Sequence, residues 1–240
     1  MIFASVPVIQ PPDQMQDTRH QWGDGPDLLL VDNTTDRAWE SEAKEHDWSY
    51  LTFGHNLGVA ASWNAARSWF MGKTEREHAM LFLFSASVEF RDGLPTVLDQ
   101  LQMGGNWKGC QTQLGPHALA YSRAVLEQVG TWDENMPSYV SDTDYFYRMI
   151  VEGILVGGPD HMPQIEINAP FPGDGRAASA LRMVTHSAAC LEYFATKWGG
   201  PASSEQWTTP FNSGMPSSWW SQHQRPALEH VMPGVTLYNR

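Results

Sequence analysis

The sequence predicts an α/β fold, in which helices flank both faces of a sheet. Short apolar runs, typical of buried strands, alternate with helix-like segments over the first 105 residues. Polar residues and prolines follow several of these runs, where strands are expected to end. Sheets of this kind bind ligands at the carboxyl ends of their strands, so these polar segments are candidate site residues.

Four strands are predicted in this part of the chain. The first, Ile2–Ile9, is closed by Gln10-Pro11-Pro12, because proline cannot donate a ladder hydrogen bond. The second, Leu28–Val31, runs into Asp32-Asn33-Thr34-Thr35-Asp36, a turn cluster that can also cap the next helix. The other two strands are predicted at Trp48–Phe53 and Met80–Phe84.

Helical periodicity and stop signals predict the helices. Leu57–Met71 carries Ala, Trp and Phe at helical spacing, and Gly72 is expected to end it. Ser141–Glu152 is expected to be capped by Ser141 or Asp142. The remaining predicted elements are helices at Gly93–Met103, Ser122–Val129 and Ala177–Trp198, two strands within Trp107–Tyr121, and strands at Ile154–Val156 and Gln164–Asn168.

The composition changes after Gly199-Gly200-Pro201 to Ser, Thr, Pro, Gln and Trp. We therefore predict one domain over 1–198 and an irregular C-terminal extension over 199–240 that packs on the same domain. Hydrophobic residues make up 42% of the 240 residues, enough for a packed core. Eleven tryptophans can fill this core or supply flat walls for sugars and bases, and the core role is favoured for any single one.

Charge and hydropathy exclude several classes of protein. The net charge is −12, and no Lys/Arg cluster is present, which argues against nucleic-acid binding. No apolar run reaches the roughly 18 residues of a membrane-spanning helix, and the N-terminus lacks the basic start of a signal peptide. The cysteines, Cys110 and Cys190, form neither a disulfide framework nor a metal-ligand spacing. We predict a cytoplasmic protein without a membrane span.

Two polar segments are candidates for ligand contacts. Asp32 and Asn33 follow a buried strand and could bind a base edge or a ribose, although turn and helix-cap chemistry is favoured when they are taken alone. In Gly54–Ala66, small residues let a helix start lie close to a ligand, which Asn56 and Asn64 could bind. The alternative for this segment is an Ala-rich helix packed tightly on the sheet.

Acidic residues cluster later in the chain, as Asp133-Glu134 and Asp142-x-Asp144. A carboxylate at a helix start can act as a general base toward an acceptor hydroxyl. The alternative is a helix cap with Arg148 as its ion-pair partner, and one of Asp142 and Asp144 is expected to have only that role. His186 could be a metal ligand or bind a phosphate, and a structural or surface role, or no metal, is the alternative.

A series of motifs occurs along the chain in a fixed order. They are Val6-Pro7-Val8, Val31-Asp32-Asn33-Thr34-Thr35-Asp36, Asn56-Leu57-Gly58 with Asn64, Val129-Gly130-Thr131-Trp132-Asp133-Glu134, Tyr139–Arg148 followed by Gly153, and Lys197-Trp198-Gly199. In this order they resemble the motifs of GT-A glycosyltransferases, in particular the large inverting family that includes rhamnosyl- and glucosyltransferases. The resemblance covers about residues 1–200 and implies a GT-A-like, Rossmann-type mixed sheet flanked by helices.

The resemblance also implies roles for individual residues. Asp32 and the turn after the first strand would contact the base and ribose of a nucleotide sugar, and Asn56 and Asn64 would lie near the diphosphate or the donor pocket. Asp142 falls where the family places its catalytic base, with Asp144 and Arg148 in the same helix supporting it. The substrate-binding candidates that complete this site are Pro7, Asn33, Ser85, Ser87, Asp133, Glu134, Asp144, Arg148 and Trp198.

The chain departs from the family at its metal motif. Two acids that hold a divalent cation in the family are replaced by Ser85-Ala86-Ser87, and serine is a poor ligand for such a cation. The residue before the base, usually Glu, is Ser141. Three explanations stay open: a metal-independent enzyme, a shifted Mn²⁺ or Mg²⁺ site built from Glu89, Asp92 or His186, or a fold that has lost catalysis. No cofactor is assigned.

The expected function is transfer of a sugar from a nucleotide-sugar donor to an acceptor hydroxyl, with inversion and with Asp142 as the base. The acceptor, whether a glycan, a protein or a modified nucleobase, stays open. The alternative is a non-catalytic nucleotide- or sugar-binding module on the same scaffold. A nucleotidyltransferase of related fold is a third option, and the missing metal-binding acids count against it.

Overall fold

The structure is a computed structural model that describes residues 1–15, 19–73, 79–86, 88–90, 92–103, 110–111, 117–137, 139–154, 177–202 and 204. The strand predicted at Gln164–Asn168 lies outside the described residues, as do most of the strand predicted at Ile154–Val156 and of the extension predicted over 199–240. Ile154, the one described residue of that first strand, belongs to no strand.

A six-stranded mixed sheet has the strand order β3-β2-β1-β4-β6-β5. β1 to β4 are parallel to one another, whereas β6 runs antiparallel to both β4 and β5. This is the flanked α/β sheet that the sequence predicts. The strands are β1 (Ile2–Val8), β2 (Leu28–Asp32), β3 (Ser49–Thr52), β4 (Met80–Phe84), β5 (Cys110–Gln111) and β6 (Ala118–Ser122).

Each range predicted to be helical contains a helix, with ends that differ by up to two residues, whereas the helix Glu40–Glu45 had no predicted range. One of the differing ends concerns Gly72. The helix predicted to stop there continues through it to Lys73, so that stop was wrong. Gly72 keeps right-handed backbone, and a glycine within a helix costs only about 1 kcal/mol. The helices are α1 (Glu40–Glu45), α2 (Val59–Lys73), α3 (Gly93–Met103), α4 (Arg123–Val129), α5 (Ser141–Val151) and α6 (Ala177–Trp198), with a 3-10 turn at Pro12–Met15.

Both faces of the sheet are covered, which explains why its central strands are continuous apolar runs. All five residues of β2 and of β4 are buried. On one face, Phe82 and Phe84 pack in a core with residues of α3 and with Trp22 and Trp39, whose rings stack 5.7 Å apart. On the other face, Phe3 meets the ring of Phe70 from α2 at 5.6 Å. The core role expected for single tryptophans is confirmed at Trp22 and Trp39.

The chain forms two compact units. The first comprises Met1–Asn56 and Ser62–Glu127 among the described residues, and contains the sheet. The second comprises Leu57–Ala61, Gln128–Ile154 and α6, and has its own apolar cluster. That cluster consists of Met136, Val140, Cys190, Phe194 and Trp198. Among the described residues, no helix has the length and apolar character needed to cross a bilayer.

Candidate functional site

The carboxyl edge of the sheet carries polar groups of the first unit, because β1 to β4 are parallel and end on the same side. Pro7 lies half-buried near the end of β1. Ser85 follows β4 directly, is half-buried, and donates its N–H to the carbonyl oxygen of His117 at 2.7 Å. Ser87 lies outside the described residues.

Asp32 ends β2, and its buried carboxylate accepts four hydrogen bonds. Oδ1 accepts from the backbone N–H and the hydroxyl of Thr34, at 2.8 and 2.7 Å. Oδ2 accepts from the backbone N–H of Trp39 at 3.3 Å and from the hydroxyl of Tyr50 at 2.8 Å. Four donors fill the acceptor sites of an ionised carboxylate. Asp32 therefore stabilises the turn that leads to α1. This is the turn role that the sequence favoured for Asp32 when the residue was taken alone. Its contact with a base stays a prediction.

Tyr50 is the long-range donor to this carboxylate. Burial of its hydroxyl raises the pKa of Tyr50 well above its usual value, and the adjacent Asp32 raises this pKa further. The hydroxyl therefore stays protonated over the physiological range and continues to donate to Asp32. The sequence pattern did not single out Tyr50, because it lies 18 residues from Asp32 and on a different strand.

Asn33 connects the sheet edge to α2. Its backbone N–H donates to the carbonyl oxygen of Val8 at 2.9 Å, and its side-chain amide donates to the hydroxyl of Ser62 at 2.9 Å. The side chain is buried, so this amide is part of the packing between β2 and the helix. Asn64, on the same helix, is half-buried, and Asn56 is exposed ahead of it.

The described residues directly after β4, Ser85 and Ala86, carry no carboxylate that could hold a divalent cation. Ser85 and Ala86 supply at most one hydroxyl and two backbone carbonyls, whereas Mn²⁺ and Mg²⁺ are held in proteins chiefly through carboxylates. Glu89 and Asp92 are described, and no group of three or more His, Cys, Asp or Glu residues suited to a metal occurs in the described part of the chain. His186 lies within α6, and its side chain is outside the described part.

In the second unit, the segment before α5 lies against the start of α2. The backbone N–H of Val59 donates to the carbonyl oxygen of Pro137 at 2.6 Å. Gly58 has φ +87°, and a Cβ there would collide with the same carbonyl and lie 2.7 Å from the Pro137 Cβ. Glycine is therefore required twice, for its backbone conformation and for this close approach. Gly58 belongs to the Asn-x-Gly motif of the sequence analysis.

α5 begins after Val140, which has left-handed backbone with φ 54°. This conformation is strained for a β-branched residue. The carbonyl oxygen of Val140 accepts the Asp144 N–H at 2.9 Å. The prediction that Ser141 or Asp142 caps the helix was wrong, because both belong to its first turn and no described side-chain bond caps Val140. Asp142 is half-buried in that turn.

A buried network of charges connects three of the motifs. The Nζ of Lys197 lies 2.7 Å from Oδ2 of Asp133 and 2.6 Å from Oδ1 of Asp144. The Nε of Arg148 donates to Oδ2 of Asp144 at 2.9 Å, and the indole N–H of Trp198 donates to Oδ1 at 2.9 Å. The expected ion pair of Arg148 with an acid of its own helix is confirmed, and its partner is Asp144. The network contains two carboxylates and two cations.

The electrostatics of Asp144 follow from this arrangement. Burial alone would raise the pKa of Asp144, but Lys197 and Arg148 outweigh it and lower the pKa below the usual value. Asp144 is therefore ionised at neutral pH although it is wholly buried. Arg148 is oriented by the carbonyl oxygen of Val129 at 3.1 Å and by the Tyr145 ring, whose centre lies 4.9 Å from Cζ.

Asp133 is also satisfied within the unit. Its Oδ1 accepts from the backbone N–H and the side-chain amide of Asn135, at 3.0 and 2.8 Å. Its Oδ2 accepts from the hydroxyl of Tyr193 at 3.3 Å in addition to Lys197. Burial, Asp133 and Asp144 raise the pKa of Tyr193 above its usual value, so this hydroxyl is a donor. The neighbouring Glu134 is half-buried.

Four of the predicted site residues are thus brought together by the structure: Asp133, Asp144, Arg148 and Trp198. Sequence reasoning did not assign a site role to Lys197, which bonds to two of the four. The signal for Lys197 was its place in the Lys-Trp-Gly motif, but its partner Asp133 lies 64 residues away. Nothing in the local pattern marked Tyr193 or Asn135.

No family model matches the chain, and no curated protein matches it. It is similar in structure to a mannosyltransferase, PcManGT from Pyrobaculum calidifontis, which was solved with GDP-Man and Mn²⁺. The match has a TM-score of 0.55 and 14% identity, and it covers 98% of this chain and 76% of the mannosyltransferase. It is also similar to glucosyl-3-phosphoglycerate synthase from Mycobacterium tuberculosis, which was solved with Mn²⁺, UDP-Glc and glycerol 3-phosphate. This match has a TM-score of 0.52 and 11% identity, and it covers 85% of this chain and 82% of the synthase. The chain therefore has the GT-A-like fold that the motif order implies.

Proposed function

We propose that this protein is an inverting glycosyltransferase that moves a sugar from a nucleotide-sugar donor to an acceptor hydroxyl. The observation that carries the proposal is the difference between the two acids in the first turn of α5. Asp144 is wholly buried and accepts bonds from Lys197, Arg148 and Trp198. The half-buried Asp142 stands at the position that the motif assigns to the base.

The proposed reaction needs one proton transfer and one displacement. A carboxylate oxygen of Asp142 takes the proton of the acceptor hydroxyl as its oxygen attacks the anomeric carbon of the donor. The bond from that carbon to the diphosphate breaks on the opposite side, so the configuration inverts and a nucleoside diphosphate leaves. The position of Asp142 near a helix N-terminus favours its ionised form.

The donor would bind at the carboxyl edge of the sheet. Asn56 and Asn64 would lie near the diphosphate, and Asp32 would shape the turn beside the base and ribose. The solved neighbours hold GDP-Man and UDP-Glc, which supports a nucleotide sugar as the donor class. Further donor-side candidates are Pro7, Asn33, Ser85 and Ser87. The acceptor would be a glycan, a protein or a modified nucleobase, and we place the reaction in the cytoplasm.

We also propose that transfer does not require a divalent metal. The solved neighbours contain Mn²⁺, but the described residues after β4 in this chain include no acid at the expected position. Backbone N–H groups and hydroxyls at the sheet edge would then stabilise the charge of the leaving diphosphate.

Asp142→Asn tests the assignment of the base. The amide cannot accept the proton, so we expect kcat to fall by about 10²–10⁴-fold while donor affinity is kept. Transfer would be measured with a panel of nucleotide sugars and acceptors, and donor affinity by calorimetry. Asp99→Asn, an exposed acid on α3, is the matched control and should leave the rate unchanged. An Asp142→Asn protein that retains full activity would rule out Asp142 as the base.

Chelation tests metal independence. We expect equal transfer rates with EDTA and with added Mn²⁺, because the predicted stabilising groups are part of the chain. The assay is initial rate against metal concentration in dialysed protein. Loss of activity with EDTA and recovery with Mn²⁺ would instead indicate a shifted site that includes Glu89, Asp92 or His186.

A second candidate function is a binding module on the same scaffold, favoured by the serines and alanine that replace the metal-binding acids. Thermal-shift and turnover screens over the same donors, with and without Mn²⁺, separate the two. Stabilisation by nucleotide sugars with no transfer and no hydrolysis under any condition would support the module. Turnover would support the enzyme.

A further inference from the structure

We propose that Lys197 is a positioning residue that holds the first turn of α5, and with it Asp142, in the geometry needed for proton transfer. This inference rests on the proposed function. It assigns a role to a residue that contacts no predicted ligand directly and that acts through two carboxylates. The role is separate from that of Asp142, which would contact the acceptor.

One ammonium group joins three separate pieces of the second unit. Lys197 lies in the last turn of α6, Asp133 in the loop before α5, and Asp144 in the first turn of α5. The two Nζ–O distances, 2.7 and 2.6 Å, are those of charge-assisted hydrogen bonds. The side chain of Lys197 is fully buried, so water cannot replace either bond. The position of α6 is therefore coupled to that of the α5 first turn.

The balance of charges makes this arrangement specific. Asp133 and Asp144 are opposed by Lys197 and Arg148, so the network is neutral, but only Lys197 contacts both acids among the described ion pairs. Loss of Lys197 alone would leave two buried carboxylates with one cation. Buried groups of this kind tolerate few alternative arrangements, because each unpaired charge or donor in the interior is costly.

The connection to Asp142 is short and passes through strained backbone. Asp144 is two residues beyond Asp142, and its N–H bonds to the carbonyl oxygen of Val140, which has left-handed backbone. A shift of the Asp144 carboxylate would turn the whole first helical turn, and Asp142 would move with it. Displacement of a reacting group by about 1 Å can cost about 10²-fold in rate.

The decisive variant is the double substitution Lys197→Met with Asp133→Asn. It removes one positive and one negative charge, so the remaining pair of Asp144 and Arg148 stays balanced and the protein is expected to fold. The matched control is Lys44→Met with Glu40→Gln, a pair on α1 whose side chains are 77% and 41% exposed. Two readouts are taken for each: hydrogen exchange of the amides at 139–146, and kcat and KM for the donor.

We expect the double variant to exchange the amides at 139–146 at least tenfold faster than the wild type. We also expect kcat, expressed per mole of folded protein as measured by circular dichroism, to fall at least tenfold while KM for the donor is unchanged. The control pair should match the wild type in both readouts. Unchanged exchange at 139–146 in a folded double variant would overturn the inference.

The two proposals fail in different ways. If the wild type transfers no sugar from any donor, the proposed function fails, and the exchange experiment alone decides the role of Lys197. If the wild type is active and the double variant keeps its kcat, the positioning role fails and the proposed function stands.

Should the double variant not fold, Tyr193→Phe provides a second test, because it removes the hydroxyl that donates to Asp133. This variant is expected to change exchange at 139–146 in the same direction, by a smaller factor. Unchanged exchange in that variant would also overturn the inference.

Discussion

Asp142 and Asp144 are two residues apart in one helical turn, yet their side chains differ in burial. Asp144 is buried among Lys197, Arg148 and Trp198, and Asp142 is only half-buried. Asp144 therefore maintains the network, whereas the proposed function assigns the proton transfer to Asp142. One of the two acids was expected to form only an ion pair with Arg148, and in the structure Asp144 makes that ion pair.

Asp144→Asn should cost about 3–5 kcal/mol of unfolding free energy, because it leaves Lys197 and Arg148 buried with one carboxylate fewer. Urea denaturation followed by circular dichroism measures this loss. Asp99→Asn should change stability by less than about 0.5 kcal/mol. A loss from Asp144→Asn no larger than that of the control would contradict the network as described.

The same residue predicts a dependence of stability on pH. The folded-state pKa of Asp144 lies below its usual value of 3.8, so its stabilising contribution is present above that value. This contribution is lost as the pH falls below 3.8 and through the folded-state pKa. Denaturation curves at several acid pH values should therefore converge for the wild type and the Asp144→Asn variant. Curves that stay parallel down to the lowest pH would contradict the assignment.

At the scale of elements, helices and strands were predictable where local pattern decides them. β4 and α3 match their predicted bounds, because a run of buried apolar residues and a helical repeat each act over a few residues. The predicted stop at Gly72 failed because glycine only weakens a helix. The cap of α5 failed because its boundary is decided by Val140, whose left-handed backbone no propensity rule predicts.

Gly58 and Gly54 provide a matched test at this scale. Both have positive φ, but a Cβ would collide with Pro137 only at Gly58 and would meet nothing within 4 Å at Gly54. Gly54→Ala should therefore cost about 1–2 kcal/mol for its backbone alone. Gly58→Ala should cost more, because the Pro137 segment must also move.

Thermal and urea unfolding of the two glycine variants check this expectation. We also expect proposed transfer activity to fall in Gly58→Ala more than in Gly54→Ala, since Pro137 lies shortly before the first turn of α5. Equal losses of stability at both positions would show that the close approach to Pro137 contributes nothing.

At the scale of the whole molecule, the described chain forms two units with different contents. The first contains the sheet edge with Asp32 and Asn33, and the second contains Asp142 and the buried charges. Each unit satisfies its buried acids internally, since the donors to Asp32 lie in the first unit and the described donors to Asp133 and Asp144 in the second. The motifs that are ordered along the chain are thus divided between two cores.

The net charge of −12 predicts whether the protein binds polyanions such as nucleic acids. A protein of this charge gains little from counterion release, so we expect no binding to duplex or single-stranded nucleic acid at about physiological salt. Gel-shift and fluorescence anisotropy measurements over a range of salt check this, with a basic DNA-binding protein as the positive control. Binding that weakens steeply as salt rises would contradict the expectation and reveal a local basic surface.

The sequence by itself determined the strands of the sheet, the helices of the first unit other than α1, the long helix α6 and the motif order that implies a GT-A-like fold. These features depend on the spacing of apolar residues and glycines within short segments. Only the tertiary structure decided which acids are buried, that Lys197 bonds to both Asp133 and Asp144, and that the Tyr50 hydroxyl donates to Asp32. Such contacts join residues as far as 64 positions apart, and their geometry depends on the path of the chain and on the high cost of leaving a charge unpaired in the interior.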